Sequence, residues 1–115
     1  MSDPCKSFER VRGDLACKAG QLMSAMAALG HPLIIVETWR SQERQDFLYS
    51  KGRTSPGPIV TWTKASRHTE GCAIDFAFAG PNPYSEEHPW DVLAACAKLL
   101  LLEGLGSKDR GHWQV

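Results

Sequence analysis

The stretch Ser66-Arg67-His68-Thr69-Glu70-Gly71-Cys72-Ala73-Ile74-Asp75 places a histidine and a carboxylate on either side of a six-residue spacer. A second cluster, Asp109-Arg110-Gly111-His112, adds another acid and another histidine. Two imidazoles and one carboxylate are three N/O ligands of the kind that hold a catalytic zinc, with a fourth position open to water. His68, Asp75 and His112 are therefore the candidate ligands. Asp109 precedes His112 by three residues, near enough to face the same site without being a ligand. A carboxylate placed there can serve as general base and proton shuttle for a metal-activated water. The first stretch taken alone also fits a plain strand with one hydrogen-bonded Asp. The second cluster turns the reading toward metal chemistry.

These side chains need elements to carry them. Cys72, Ile74, Phe76 and Phe78 alternate with Ala73, Asp75 and Ala77, the pattern of a half-buried strand. The large residues face a core, and the small ones leave room around the Asp75 carboxylate. Upstream, Phe8, Val11, Leu15, Leu22, Met26 and Leu29 recur at helical steps, predicting an amphipathic helix over 6–29. Asp3-Pro4 would start it, Gly30 would cap it, and Gly13 and Gly20 are where it could break. Residues 33–39 read as a buried β-branched strand delivering Arg40 to its end. Ser41 then caps a helix over 42–50, with Glu43 in its first turn. Residues 52–58 form a turn-rich loop and 59–63 a strand. Residues 79–89 read as a loop, with His88 as polar surface and Glu70 as a solvated charge. A helix over 89–103 buries Trp90, Leu93, Ala94, Ala97, Leu100 and Leu101, with Gly104 as its cap. Gly106 and Ser107 turn the chain into a last strand, where His112 and Gln114 share one face and Trp113 and Val115 the other.

Composition sets the outer limits. The chain has 115 residues, enough for one domain over 1–115 with a modest core. Hydrophobic residues make up 43% and charged residues 23%, as in ordinary soluble domains. The formal net charge is +0, which gives no electrostatic reason to bind nucleic acid. Residues 1–12 are polar and lack the apolar stretch of a signal peptide, and 99–102 is far too short to span a membrane. The expectation is a chain made soluble in the cytoplasm. Cys5, Cys17, Cys72 and Cys96 show no CxxC spacing, so a thiolate zinc site is not expected.

The ordered set Ser-x-His-x-x-Gly-x-Ala-x-Asp, then Asp-x-Gly-His-Trp, resembles the zinc D-Ala-D-Ala carboxypeptidase and L-alanyl-D-glutamate endopeptidase family. That family shares its fold with the N-terminal domain of hedgehog proteins and includes phage endolysins. The similarity runs through Thr38-Trp39-Arg40-Ser41, Glu43-Arg44-Gln45, Leu48-Tyr49, Gly52-Arg53-Thr54 and Pro56-Gly57-Pro58-Ile59-Val60-Thr61, covering about residues 30 to 115 in the family's order.

The resemblance implies a single α+β domain, with helices on one face of a small antiparallel sheet and the metal on the other. It implies one Zn²⁺ held by His68, Asp75 and His112, with Asp109 as catalytic base. Arg40 and Ser66 would contact the substrate, since a guanidinium can donate two parallel hydrogen bonds. The expected activity is that of a monomeric peptidase cutting the peptidoglycan stem peptide, most closely an L-alanyl-D-glutamate endopeptidase. An endolysin of this kind would reach the cell wall after release from the cytoplasm. The alternatives are a D-alanyl-D-alanine carboxypeptidase or dipeptidase and, from another class, a non-catalytic zinc-binding module like the hedgehog relatives. Many relatives carry a Trp-Gly-Gly segment and a longer loop before the second motif. Here only residues 105–108 make that connection, which implies a more open cleft on that side.

Overall fold

The computed structural model describes residues 3–106 and 109–115. The elements run α1 (Gly13–Ala28), β1 (Leu33–Glu37), α2 (Gln42–Ser50), a 3-10 turn (Arg67–Glu70), β2 (Ala73–Phe78), α3 (Trp90–Leu99), β3 (Glu103–Gly104) and β4 (His112–Gln114). The four strands form one antiparallel sheet in the order β1-β2-β4-β3. Ile74, Phe76 and Phe78 of β2 bury their side chains against Leu15, Leu22 and Met26 of α1 and Leu93 and Ala97 of α3. That face is the core, as the alternation predicts. Asp75 lies on the opposite face, half-buried between the fully buried Ala73 and Ala77. α1 and α3 cover the core face. α2 instead joins β1 at the site face, through polar side chains described below.

Four expected elements differ. α1 begins at Gly13 rather than near Lys6. The residues before it use their backbone groups elsewhere: Cys5 O accepts from Thr38 N (2.7 Å), Ser7 O from the Thr38 hydroxyl (2.5 Å), and Arg12 N donates to Gly71 O (2.9 Å). This segment therefore straps across the end of β1 and the 3-10 turn instead of coiling, while Phe8 and Val11 still reach the core. Residues 59–63 form no strand, with a bend at Trp62. Their carbonyls are taken by side chains instead. The buried expectation for 33–39 holds at its ends, but Ile34 is exposed. α3 stops at Leu99, and Leu101 adopts the left-handed conformation (φ 62°), exposing its own side chain and returning Leu102 to the core. Gly104 is not a helix cap. It sits in β3, where a Cβ would come within 2.7 Å of the Trp113 ring.

Other features follow the sequence. Gly30 caps α1 with φ 86°, and Ser41 Oγ accepts from Arg44 N at 3.1 Å to start α2. His88 is less free than expected, because its ring stacks on Phe78 with centroids 4.6 Å apart. All four cysteines are free thiols. Ser107 lies outside the described residues, so its expected turn is not placed.

Candidate metal centre

The sheet register brings the ligands together. Asp75 of β2 pairs with His112 of β4 on one side and with Glu37 of β1 on the other. Directly opposed residues in an antiparallel sheet point to the same face, so Glu37, Asp75 and His112 form one transverse row. Glu37 joins that row because of a bulge. Ile35 pairs with Phe76, and the next pairing is Glu37 with Asp75, which leaves Val36 unpaired and re-aims Glu37.

His68 enters from the 3-10 turn just before β2. Ser66 caps that turn, its Oγ accepting from His68 N at 3.2 Å. Gly71 ends it at φ 70°, where a Cβ would lie 2.1 Å from Arg10 O, so both conformation and space require glycine.

His68 Nε2 and His112 Nδ1 each lie 3.1 Å from the same oxygen, Asp75 Oδ1. The ligand atoms of the three residues fall within 4.8 Å of one another. The two rings meet edge to face, with centroids 5.0 Å apart. The far ring nitrogens settle the protonation. His68 Nδ1 faces the Thr38 carbonyl at 2.6 Å, and a carbonyl only accepts, so Nδ1 carries the proton. His112 Nε2 faces Gln114 Oε1 at 2.8 Å and donates likewise. When both rings are neutral, each turns a bare lone pair toward a carboxylate oxygen, which is also an acceptor. Three acceptors converging without a proton among them are the donor set of a divalent cation, and far-side acceptors are the usual support of metal-binding histidines.

Without a cation, a proton partly fills that role. Burial would lower the pKa of His112, but hydrogen bonds to Asp75 and Gln114 outweigh it and raise the value. Burial would likewise raise Asp75, but the hydrogen bonds from His112 and His68 hold its carboxyl far below the usual range.

Arg40 is placed differently from a free substrate clamp. It is buried, its Nε and Nη2 fork onto Glu37 at 3.1 and 2.8 Å, and Nη1 donates to Gln45 Oε1 at 2.7 Å. Nη2 also stands 3.9 Å from Asp75 Oδ2, on the far side of the carboxylate from the histidines. Glu37 takes a second arginine, Arg44 of α2, at 2.6 Å. Burial pushes Glu37 up, and the hydrogen bonds from Arg40 and Arg44 more than offset it, leaving its pKa lowered.

Asp109 sits on the loop leading to β4. It is an exposed residue, yet its carboxyl interacts with the charges of Asp75, His112, His68 and Arg40. Burial first and Asp75 second push its pKa up. It also borders a cleft of about 550 Å³ between α3 and the β3–β4 edge, which Trp90, Ala94 and Trp113 help to line.

The sequence singled out His68, Asp75, His112 and Asp109; the structure brings the first three together, and Asp109 lies within range of their charges. It brings Arg40 to the same carboxylate but spends most of its donors on protein. It gives Ser66 a capping bond. Sequence reasoning missed Glu37, Thr38, Gln45 and Gln114 as members of the site. An acid closing an apolar strand was the visible signal for Glu37, and alternation with His112 was the signal for Gln114.

The fold is similar to that of a solved bacterial endopeptidase. Over 94% of this chain and 82% of the other, the structure matches the crystal structure of the L-Ala D-Glu endopeptidase ChiX of Serratia marcescens, with a TM-score of 0.63 and 23% identity. In sequence, a segment of 61 residues, 51% of the chain, is 46% identical to the peptidoglycan L-alanyl-D-glutamate endopeptidase CwlK of Bacillus subtilis (strain 168). That match spans 36% of the length of CwlK. No family model matches the chain. Both relatives agree with the resemblance carried by the motifs.

Proposed function

We propose that the chain is a zinc peptidase that hydrolyses the peptidoglycan stem peptide between L-Ala and D-Glu, the bond named for both relatives. The observation that carries the reading is the convergence of His68 Nε2, His112 Nδ1 and Asp75 Oδ1 with both imidazole protons committed to the far side.

His68, Asp75 and His112 would hold the zinc. When bound, the ion polarises the scissile carbonyl and lowers the pKa of water to about 7. Asp109, raised by burial and by Asp75, takes the proton from the attacking water. It then delivers that proton to the amine as the C–N bond breaks, so that one carboxyl and one amine result. Of the five N–H donors of Arg40, three are used by Glu37 and Gln45 and the Nη2 side also faces Asp75, which leaves the second Nη1 proton to orient the peptide. Ser66 accepts from His68 N and still has its hydroxyl proton to offer to a substrate carbonyl. As an endopeptidase of this kind, the chain would act at the cell wall as a monomer.

Mass spectrometry of muropeptides after incubation with the zinc-loaded protein tests the assignment. New L-Ala C-termini and D-Glu N-termini are the expected products. Release of D-Ala instead would make it a carboxypeptidase, and intact muropeptides would leave a metal-binding module.

A further inference from the structure

The segment that leads from α2 to His68 carries an exposed surface. In the segment after α2, Val60 is 56% and Trp62 80% exposed. The backbone beneath them is held firmly. Arg53 Nη2 donates to Thr61 O at 3.2 Å, Gln45 Nε2 to Thr63 O at 2.6 Å, and Gln42 Nε2 to Lys64 O at 2.9 Å. Trp62 is thus presented on a fixed ledge. Beside it, the Arg53 guanidinium lies 3.7 Å from the Tyr49 ring centroid and 5.7 Å from that of Trp62, and the Lys64 ammonium lies 5.1 Å from Tyr49. Tyr49, Arg53 and Lys64, with Asp46, line a hollow of about 380 Å³, and Trp62 stands outside it.

The ledge is tied to the chemistry. Gln45, which anchors Thr63, also accepts from Arg40, which faces Asp75. Trp62 precedes His68 by six residues, so the two lie at most about 20 Å apart.

We propose that this ledge is a glycan subsite. Trp62 stacks against the C–H face of a pyranose ring, and Arg53 and Lys64 donate to oxygens at its edge. An open aromatic face suits the apolar side of a sugar, and cationic donors suit its polar rim. The inference rests on the peptidase reading and sharpens it. An L-Ala–D-Glu bond lies at the root of the stem, one residue from the sugar chain, whereas a D-Ala-D-Ala bond lies at the tip. A saccharide platform within reach of the metal centre serves an enzyme that cuts at the root.

The test has a binding arm and a kinetic arm. In the first, glycan strands stripped of their stems by an amidase are titrated against the whole metal-free protein, so that no cleavage enters the readout. Wild type binds, Trp62→Ala binds about tenfold weaker or worse, the scale for one aromatic anchor, and Trp62→Phe recovers part of the loss. Equal binding by wild type and Trp62→Ala, or no binding by either, overturns the proposal. In the second arm, kcat/KM is measured on glycan-linked stems and on the free stem peptide. The preference for the glycan-linked form falls about tenfold in Trp62→Ala, through KM. An equal loss on both substrates reduces Trp62 to a structural role. Should wild type bind stripped glycan yet cleave neither stem, the peptidase reading fails while the subsite stands.

Discussion

At the scale of single residues, the two histidines are supported unequally. His68 rests on a backbone carbonyl, which substitution cannot remove, whereas His112 rests on the Gln114 side chain. Gln114→Leu should therefore weaken zinc binding by about tenfold to a hundredfold, the usual cost of losing an outer partner, while Gln114→Glu keeps an acceptor and most of the affinity. Competition with a chromogenic chelator reads both, and equal affinity in all three proteins would mean that Gln114 does not orient the ring. The two aspartates should separate in the same way. Asp109→Asn should retain zinc and lose about a hundredfold in rate, the scale of a general base. Asp75→Asn should lose zinc itself. Zinc content and hydrolysis rate in one buffer decide, and an empty site in Asp109→Asn would reverse the roles.

At the scale of elements, the join between β1, α2 and β2 depends on one buried acid. Glu37 is 3% exposed and holds Arg40 and Arg44. Glu37→Ala leaves two guanidinium groups without it and should cost about 3–5 kcal/mol, read as a lower midpoint in urea unfolding. Its pKa is lowered in the fold, so its contribution is complete above the ordinary value of 4.5 and is lost as pH falls through the depressed one. Stability curves of wild type and Glu37→Gln should accordingly converge in acid and diverge toward neutrality; parallel curves would deny Glu37 that role. The acid closing β1 was visible in the sequence, but its place in the site was not, because that depends on the bulge. Alternation correctly placed Asp75 and the core face of β2, and Ser41 and Gly30 correctly marked helix ends, since those signals are local. The pairing of Glu37 with Asp75 is set between strands some forty residues apart, and a shift by one residue reverses which side chain faces the site. The early start expected for α1 failed similarly. Phe8 and Val11 do reach the core, but their backbone is claimed by Thr38 and Gly71, partners that helical periodicity cannot reveal.

At the scale of the whole molecule, the three candidate ligands come from a turn and two strands, so a cation held by them would bind only the assembled fold. A ligand that binds the native state alone adds about 4 kcal/mol when present at a thousand times its Kd. For a domain of this size that is a rise in Tm on the order of 10 °C. Melting curves with saturating zinc and with excess chelator should differ by about that amount in wild type and by little in His112→Ala. A similar shift in the mutant would place the stabilising metal elsewhere.

The last strand is thin for its position. β4 has three residues, lies between β2 and β3, and meets β3 over only two pairs. Its neighbour Gly111 fits so closely under Phe76 that a Cβ would come within 2.1 Å of the Phe76 carbonyl. Few backbone bonds hold the strand that delivers His112, so its local opening should set the pace at which a cation could escape. Amide hydrogens of Trp113 and Gln114 should then exchange on the same clock as zinc leaves, both slowed together as zinc is added. Amides in α1, buried against a different set of contacts, should keep their own slower rhythm. A zinc off-rate much faster than exchange at Trp113 would show that the ion departs through the open face with the strand still in place.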